Sequence, residues 1–173
     1  MKKVLFTALV SLSIMFVPYS SSIAQSNKMN DLASIDQMYG SKLVGTWNCD
    51  SVKMEVEDAT VTMEGSASYF TNKRSNTFGT MIIDYPKENI TLEYDYFGTG
   101  TWEINNKKLV EILEDIKLTN ISHPYMDQSF NMTDIFPKNI SASSSIISLS
   151  QSNLTLKDDT EGVIFTCSKK IVK

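Results

Sequence analysis

Alternation of apolar and polar residues runs through most of the chain from Leu43 onward, and this pattern constrains the fold more than any other feature. A period of two places every second side chain on the same face, so it predicts half-buried antiparallel strands rather than helices. The alternation recurs in about eight segments at intervals of roughly 10 residues, which is typical of β-sandwiches and β-barrels. The segments cover residues 43–49, 59–69, 90–96, 101–104, 110–118, 147–149, 154–156 and 163–167.

Two cysteines, Cys49 and Cys167, lie in the first and the last of these segments. Cys49 shares its face with Trp47, and Cys167 shares its face with Phe165, so both thiols are predicted to point inward. We predict a disulfide between them, because a lone pair of cysteines in an exported chain normally closes in an oxidising compartment. Such a bond brings the first and last strands within about 6 Å, Cα to Cα. A sheet whose ends meet has closed on itself, which favours an all-β antiparallel barrel of about eight strands. An open sandwich with an inter-sheet disulfide is the alternative.

The first 24 residues have the pattern of a secretory signal. A positively charged start precedes an apolar run at residues 4–17, and Ser22 and Ala24 are small residues at the positions that a signal peptidase reads. The run is shorter than the roughly 20 residues that span a bilayer, although a membrane anchor is the alternative. We therefore predict cleavage before Gln25, a periplasmic or secreted location in a bacterium, and no membrane span after cleavage.

Removal of the signal leaves one domain of 149 residues with 14 basic and 20 acidic side chains, a net charge of about −6 at pH 7. We divide the chain into a signal peptide (1–24), a polar segment with a short helix (25–42) and a barrel domain (43–173). Arg74 is the only arginine. Without a basic patch, the chain is not expected to bind nucleic acid or an anionic membrane surface.

Two segments lie outside the alternating pattern. Asn30 is a predicted helix N-cap, and Gly40 is predicted to end a short helix that plugs one end of the barrel. The alternation is also lost between residues 122 and 139, where Pro124 suits the first turn of a helix and Pro137 ends it. We predict there a loop with a short helix that lies as a lid over the barrel mouth.

A short helix followed by a strand that carries Gly-Thr-Trp, at positions 45–47, resembles the opening motif of the lipocalins and the wider calycin group. The resemblance extends loosely over residues 30–170 as strand number and order. It implies that Trp47 packs at the closed base of the barrel, and lipocalins also frequently carry a disulfide. Lipocalins usually cover this tryptophan with a late arginine, and this chain departs from the family because it has none. We expect Lys169 or Lys170 to take that role.

Tyr94, Tyr96 and Trp102 are predicted to share one inner face, as an aromatic cluster whose polar tips are typical of ligand pockets and equally of plain core. Glu114 has the same parity as the apolar residues around it, so it is predicted to point inward and to orient the polar end of a ligand. The alternatives for Glu114 are a strand bulge that turns it outward, or a structural partner such as a tyrosine.

His123 is the only histidine, and no activated nucleophile or spaced set of metal ligands accompanies it. We therefore predict no catalytic residue, no metal, no cofactor and no enzymatic activity. The first functional hypothesis is a barrel that binds a small apolar or amphipathic molecule, with residues 123–139 as the lid. The second is an interaction protein, an inhibitor or assembly factor for another envelope protein, whose barrel is filled by its own side chains and holds no ligand.

Overall fold

The computed structural model describes residues 22–129, 132–135 and 137–171, so the predicted signal lies outside the described residues except for 22–24. A closed barrel of eight antiparallel strands, in sequential order, follows one helix. The expected all-β barrel is therefore confirmed. In chain order the elements are α1 (Ser22–Leu43), β1 (Gly45–Val56), β2 (Ala59–Tyr69), β3 (Arg74–Tyr85), β4 (Ile90–Asn105), β5 (Lys108–Asn120), α2 (Met126–Ser129), α3 (Met132–Ile135), β6 (Ile140–Leu149), β7 (Asn153–Asp158) and β8 (Ile164–Lys169).

The number of strands equals the number of predicted segments, but strands β3 and β4 differ from the segments that the alternation predicts. Strand β3 is missing from the predicted segments because its inward positions include Ser75 and Gly79, whereas Phe78 points outward and is exposed. Strand β4 is one strand of 16 residues. The alternation predicts two segments there, 90–96 and 101–104, because Gly98 and Gly100 interrupt the pattern. Glycine has a low strand propensity, and here the pairing with β3 and β5 overrides it. The two errors cancel in the strand count.

The barrel closes through a short seam between β1 and β8. Trp47 lies opposite Lys169, and Cys49 lies opposite Cys167. The predicted disulfide is confirmed: it joins Cys49 to Cys167 across the seam, with the two Cα atoms 3.9 Å apart. The first and last strands are thus held together by backbone pairing and by a covalent bond.

The closed part of the barrel is shallow because β7 and β8 have only six residues each and β6 pairs with only the first half of β5. Strand β5 pairs with β6 from Lys108 to Leu113 and then continues to Asn120 with β4 as its strand partner. Strand β1 likewise continues past Cys49, after a bulge, to Val56 with β2 as its partner. The described strands therefore form a complete barrel at the base and a five-stranded sheet, β1 to β5, above it.

Two apolar clusters occupy these two levels. The base cluster contains both tryptophans, and the upper cluster lies between the upper parts of β2 to β5. The buried members of the base cluster are Leu43, Trp47, Tyr69, Trp102, Leu109, Leu154, Leu156 and Cys167. Those of the upper cluster are Ala59, Met81, Ile83, Tyr94 and Leu118.

Helix α1 closes the base of the barrel, as the sequence predicts for the helix before the first strand. Its last residue, Leu43, is fully buried, and the Leu43 carbonyl accepts a 2.7 Å hydrogen bond from the indole N–H of Trp47. The Asp36 carboxylate accepts hydrogen bonds from the backbone N–H groups of Asn106 and Lys107, at 2.9 and 3.0 Å. The helix is therefore held to β1 and to the β4–β5 turn.

Both predicted ends of the helix are wrong, because α1 begins at Ser22, well before the predicted N-cap Asn30, and continues through Gly40 to Leu43. Gly40 is buried beside the Lys73 ammonium and the Trp102 ring. The contacts of the last helical turn with the base cluster outweigh the local preference of glycine for a helix end. None of the helices in the described ranges is long and apolar enough to cross a bilayer.

The segment between β5 and β6 covers the upper edge of β5. The Thr133 hydroxyl donates to the Leu118 carbonyl at 3.1 Å and accepts the Leu118 N–H at 2.9 Å. The Asp127 carboxylate accepts the Asn120 N–H at 2.9 Å. These bonds satisfy backbone groups of β5 beyond the reach of β6. A short helical stretch is thus present as α2 and α3, and its role as a lid stays a prediction, with residues 130, 131 and 136 outside the described ranges.

Candidate functional site

The interior of the barrel holds a cavity of about 280 Å³ directly above the base cluster. Ligand pockets in proteins range from roughly 300 to 1,000 Å³. The cavity lies at the lower end of this range, so it suits a small molecule. Most of the wall is apolar, and polar side chains interrupt it: Tyr69 and Tyr96, serine and threonine residues, and four acidic residues, one of which has its carboxyl group in the interior. The apolar lining includes Trp47, Met63, Ala67, Leu154, Leu156 and Phe165. A barrel filled by its own side chains, as the second hypothesis expects, is not what the structure shows.

The interior carboxyl group belongs to Glu111, and a bulge in β5 puts it there. Thr99 of β4 pairs with Asp115 and Gly100 pairs with Leu113, so Glu114 is an extra residue between two paired positions. Above the bulge the even-numbered residues of β5 face inward, and below it the odd-numbered residues do. Glu111 consequently lines the cavity.

Glu114, which the sequence predicts to face the interior, lies instead in an ion pair. Its carboxylate contacts the Arg74 guanidinium at 2.8 and 3.0 Å, and both side chains are about 40% exposed. Glu114 does not line the 280 Å³ cavity. The predicted inward orientation is therefore wrong. The bulge and the structural partner that stood as the alternatives are both present, although the partner is Arg74 rather than a tyrosine.

Burial changes the ionisation of Glu111. Loss of hydration inside the barrel raises the pKa of the Glu111 carboxyl from its usual 4.5 to about 7, against the opposing effect of a hydrogen bond from the Tyr69 hydroxyl. Burial and the neighbouring Glu111 raise the pKa of Tyr69 well above its usual value, so this hydroxyl keeps its proton. The carboxyl group of Glu111 therefore changes charge close to neutral pH.

Tyr96 is the one residue of the predicted aromatic cluster that lines the cavity. Its hydroxyl donates to the Glu64 carbonyl at 3.3 Å, across the wall formed by β2 and β3. There Gly65 pairs with Gly79, and a Cβ atom on either glycine would collide with backbone atoms and with the Tyr96 hydroxyl. The two glycines thus leave the space in which the end of the Tyr96 side chain rests.

Tyr94 and Trp102 lie elsewhere. Tyr94 is 2% exposed within the upper cluster. Trp102 is buried in the base cluster, where its indole N–H donates to the carbonyls of Phe70 and Arg74 at 3.2 and 3.0 Å. The Lys73 ammonium lies 3.9 Å from the centre of its ring. Neither aromatic side chain lines the cavity, so the structure does not bring the predicted four ligand-binding residues together.

Trp47 lies at the base of the barrel, where the resemblance to lipocalins places it. It is fully buried, and its inner side forms part of the cavity wall. The Lys169 ammonium lies 4.9 Å from the ring centre and donates to the Lys42 carbonyl at 2.8 Å. Loss of hydration lowers the pKa of Lys169. A lysine thus takes the position over this tryptophan, and it also ties β8 to the end of α1.

No protein-family model matches the chain, and no curated protein matches it. Within the described part of the chain, no group of three or more histidine, cysteine, aspartate or glutamate side chains is arranged to hold a metal ion. The eight-stranded antiparallel barrel is compatible with a lipocalin-like fold.

Proposed function

We propose that this protein is a lipocalin-like barrel that binds a small apolar or amphipathic molecule inside the cavity. The observation that carries the proposal is the 280 Å³ of open space with mainly apolar walls inside a closed barrel. Protein interiors are normally packed as densely as organic crystals, and an empty apolar cavity costs folding free energy. A small barrel that keeps such a space is typical of ligand carriers.

The lipocalin-like character of the proposal has three supports. A helix precedes the first strand and closes the base, Trp47 packs under it, and Lys169 covers the tryptophan ring. The helix and Trp47 agree with what the resemblance of the Gly-Thr-Trp motif implies. They add to the strand order, which runs sequentially around the barrel.

The proposal includes export. The support is the signal-like pattern of residues 1–24 together with the Cys49–Cys167 disulfide, which is compatible with an oxidising compartment. Expression in a bacterium with separation of periplasm, medium and cytoplasm tests it. We expect a protein that begins at Gln25 in the periplasm or medium, by intact mass. Full-length protein confined to the cytoplasm would contradict export.

The two tryptophans offer a direct test of cavity binding, because Trp47 lines the cavity and Trp102 does not. Octan-1-ol is titrated into a Trp102→Phe variant, in which Trp47 is the reporter, and into a Trp47→Phe variant, in which Trp102 is. We expect a saturable change in Trp47 emission and little change in Trp102 emission, with calorimetry showing that both variants bind.

Two outcomes of this titration would contradict cavity binding. The first is the absence of any saturable signal or heat up to the solubility of octan-1-ol. The second is an equal response from both tryptophans, which would indicate binding elsewhere or partial unfolding. Circular dichroism of each variant establishes first that the strand content is unchanged.

An interaction with another envelope protein is the second candidate, and an exposed aromatic pair on the outer face supports it. Phe78 and Phe97 lie directly opposite each other on β3 and β4, and each is almost half exposed. Exposed aromatic residues are enriched at protein interfaces. Capture from a periplasmic extract with the wild type and with a Phe78→Ser/Phe97→Ser variant tests it. A partner lost from the variant, with octan-1-ol binding retained, supports this function, and capture of no protein by the wild type contradicts it.

A further inference from the structure

We infer that the molecule held in the cavity carries a basic nitrogen: a small aliphatic or aromatic amine whose ammonium group pairs with Glu111 while its apolar part lies against the cavity wall. This inference rests on the proposed function and specifies the class of ligand. It is carried by the geometry of the cavity, the sign of the charged groups around it and the unused hydrogen-bonding capacity of Glu111.

The charged residues that line the cavity are all acidic. None of the described lining residues is a lysine, an arginine or a histidine. The acidic ones are Asp50, Glu64, Glu111 and Asp158. A carboxylate or phosphate on the ligand would meet repulsion with no compensating cation, so the cavity disfavours fatty acids and other anionic amphiphiles. A cation experiences the opposite effect.

The acidic residues differ in position and in their partners. Glu111 lies inside, with Tyr69 of β2 as its hydrogen-bond partner. Asp50 and Glu64 are at the exposed rim, and the Asp158 carboxylate accepts two backbone N–H groups in the β7–β8 turn. The interior ion pair would therefore be made by Glu111, and the rim acids would attract a cation toward the opening.

Glu111 has more acceptor capacity than its protein partner uses. An ionised carboxylate offers about four acceptor positions, and the Tyr69 hydroxyl supplies one donor. Glu111 is half-buried, and a carboxylate that loses water without gaining enough partners is destabilising. An ammonium group has three hydrogen-bond donors and a positive charge. It therefore supplies the donors and the opposite charge that the apolar wall does not provide for Glu111. Burial raises the pKa of Glu111 to about 7, so binding of a cation would draw the proton from this group.

Aromatic rings form much of the remaining wall. Trp47, Tyr69, Tyr96 and Phe165 all line the cavity. Ring faces attract cations and also pack against alkyl and aryl groups. An amine with a short apolar tail can therefore pair its ammonium group with Glu111 and pack its tail against the aromatic and aliphatic wall. A neutral alcohol of the same length can make only the apolar contacts.

Three compounds with one alkyl chain test the inference: octylamine, octan-1-ol and octanoate, titrated by calorimetry at pH 8. At this pH the amine is charged and Glu111 of the free protein is mostly ionised. The titrations compare the wild type with the Glu111→Gln and Glu114→Gln variants. Glu114→Gln is the matched control, because it changes a glutamate of the same strand that lies outside the cavity. Retention of strand content by circular dichroism is checked for each.

We expect the wild type to bind octylamine at least tenfold more tightly than octan-1-ol, and octanoate most weakly. Glu111→Gln should lower the affinity for octylamine to that for octan-1-ol and leave octan-1-ol within about twofold, whereas Glu114→Gln should retain the preference. Octan-1-ol or octanoate binding as tightly as octylamine would overturn the amine inference and leave the proposed function standing. Binding of none of the three would overturn both. If Glu111→Gln fails to fold, the order of affinities in the wild type decides alone.

Discussion

Glu111 places a carboxyl group among apolar side chains, where loss of hydration opposes its ionisation. The position of this residue follows from Glu114, three residues further along β5, which occupies the bulge and pairs with Arg74. One extra residue in the strand thus decides which of two glutamates is interior. At the scale of single residues, the chemistry of the cavity depends on that bulge.

Replacement of Glu111 by glutamine should make stability less dependent on pH. The pKa of this carboxyl is about 7 in the folded protein and near 4.5 in the unfolded chain. The folded state therefore binds the proton more tightly, and stability is lost as pH rises from about 4.5 through 7. Relative to the wild type, Glu111→Gln should be near neutral at pH 4 and stabilising by about 1–3 kcal/mol at pH 8, measured by urea unfolding.

The control for this prediction is Glu114→Gln, which removes a partly exposed ion pair and should change stability by less than about 1 kcal/mol at either pH. A stabilisation by Glu111→Gln that is the same at pH 4 and pH 8 would show that Glu111 is not an ionising interior group.

Lys169 is expected to stabilise the base of the barrel through two contacts. Its ammonium group lies over the Trp47 ring and donates to the Lys42 carbonyl. Lys169→Met keeps most of the side-chain volume and removes both contacts, so we expect a loss of about 1–2 kcal/mol in urea unfolding. Lys170→Met, one residue along and exposed, should cost less than about 0.5 kcal/mol. Equal effects of the two substitutions would refute the assignment.

At the scale of elements, the structure departs from the sequence pattern where a tertiary contact overrides a local preference. Strand β3 has Ser75, Thr77 and Gly79 at the inward positions of its first half, so the apolar alternation is lost there, and only Met81 and Ile83 in its second half are buried apolar residues. The bulge at Glu114 changes which residues of β5 face inward, from odd-numbered before it to even-numbered after it. The apolar residues Leu109 and Leu113, at odd-numbered positions, are the signal in the sequence that indicates this change. Pairing with neighbours sets both features, and a single sequence does not encode neighbours explicitly.

Gly40 gives an element-scale prediction because it lies inside α1 rather than at its end. An added Cβ would be 3.6 Å from the Lys73 ammonium and 3.9 Å from the Trp102 ring, which are ordinary contacts. Glycine in a helix interior costs about 0.5–1 kcal/mol relative to alanine, so Gly40→Ala should stabilise the protein by that amount in thermal or urea unfolding.

Gly79→Ala provides the contrast to Gly40→Ala, since its Cβ would collide with the Glu64 carbonyl and the Cα of Gly65. This substitution should destabilise the protein by more than about 1 kcal/mol. A destabilising Gly40→Ala would show that the last turn of α1 is not the continuous helix described above.

At the scale of the whole molecule, the closed barrel was predictable and the contents of its interior were not. The parity of Cys49 and Cys167 in the first and last strands favoured closure over an open sandwich, and the structure joins these two strands by backbone pairing and the disulfide. Which residues face the cavity depends instead on the bulge in β5 and on the limited pairing of β6 with β5. Of the predicted site, Tyr96 alone lines the cavity, and Glu111 was missed.

The disulfide should carry much of the stability of the barrel. It closes a loop between residues 118 positions apart. On the chain-entropy account such a link contributes about 4–5 kcal/mol through the unfolded state. A Cys49→Ser/Cys167→Ser variant should therefore lose about that free energy of unfolding in urea, and octan-1-ol at saturation should restore part of it. A loss below about 1 kcal/mol would contradict the role assigned to the seam.

The most direct test of the account is to fill the cavity from its own wall. Ala67 lines it from β2, opposite Trp47, and Thr62 on the same strand does not line it. We predict that Ala67→Phe abolishes calorimetric binding of octan-1-ol and octylamine while the strand content is retained, and that Thr62→Phe binds both like the wild type. Wild-type affinity in a folded Ala67→Phe variant would contradict the claim that the interior of this barrel is the binding site.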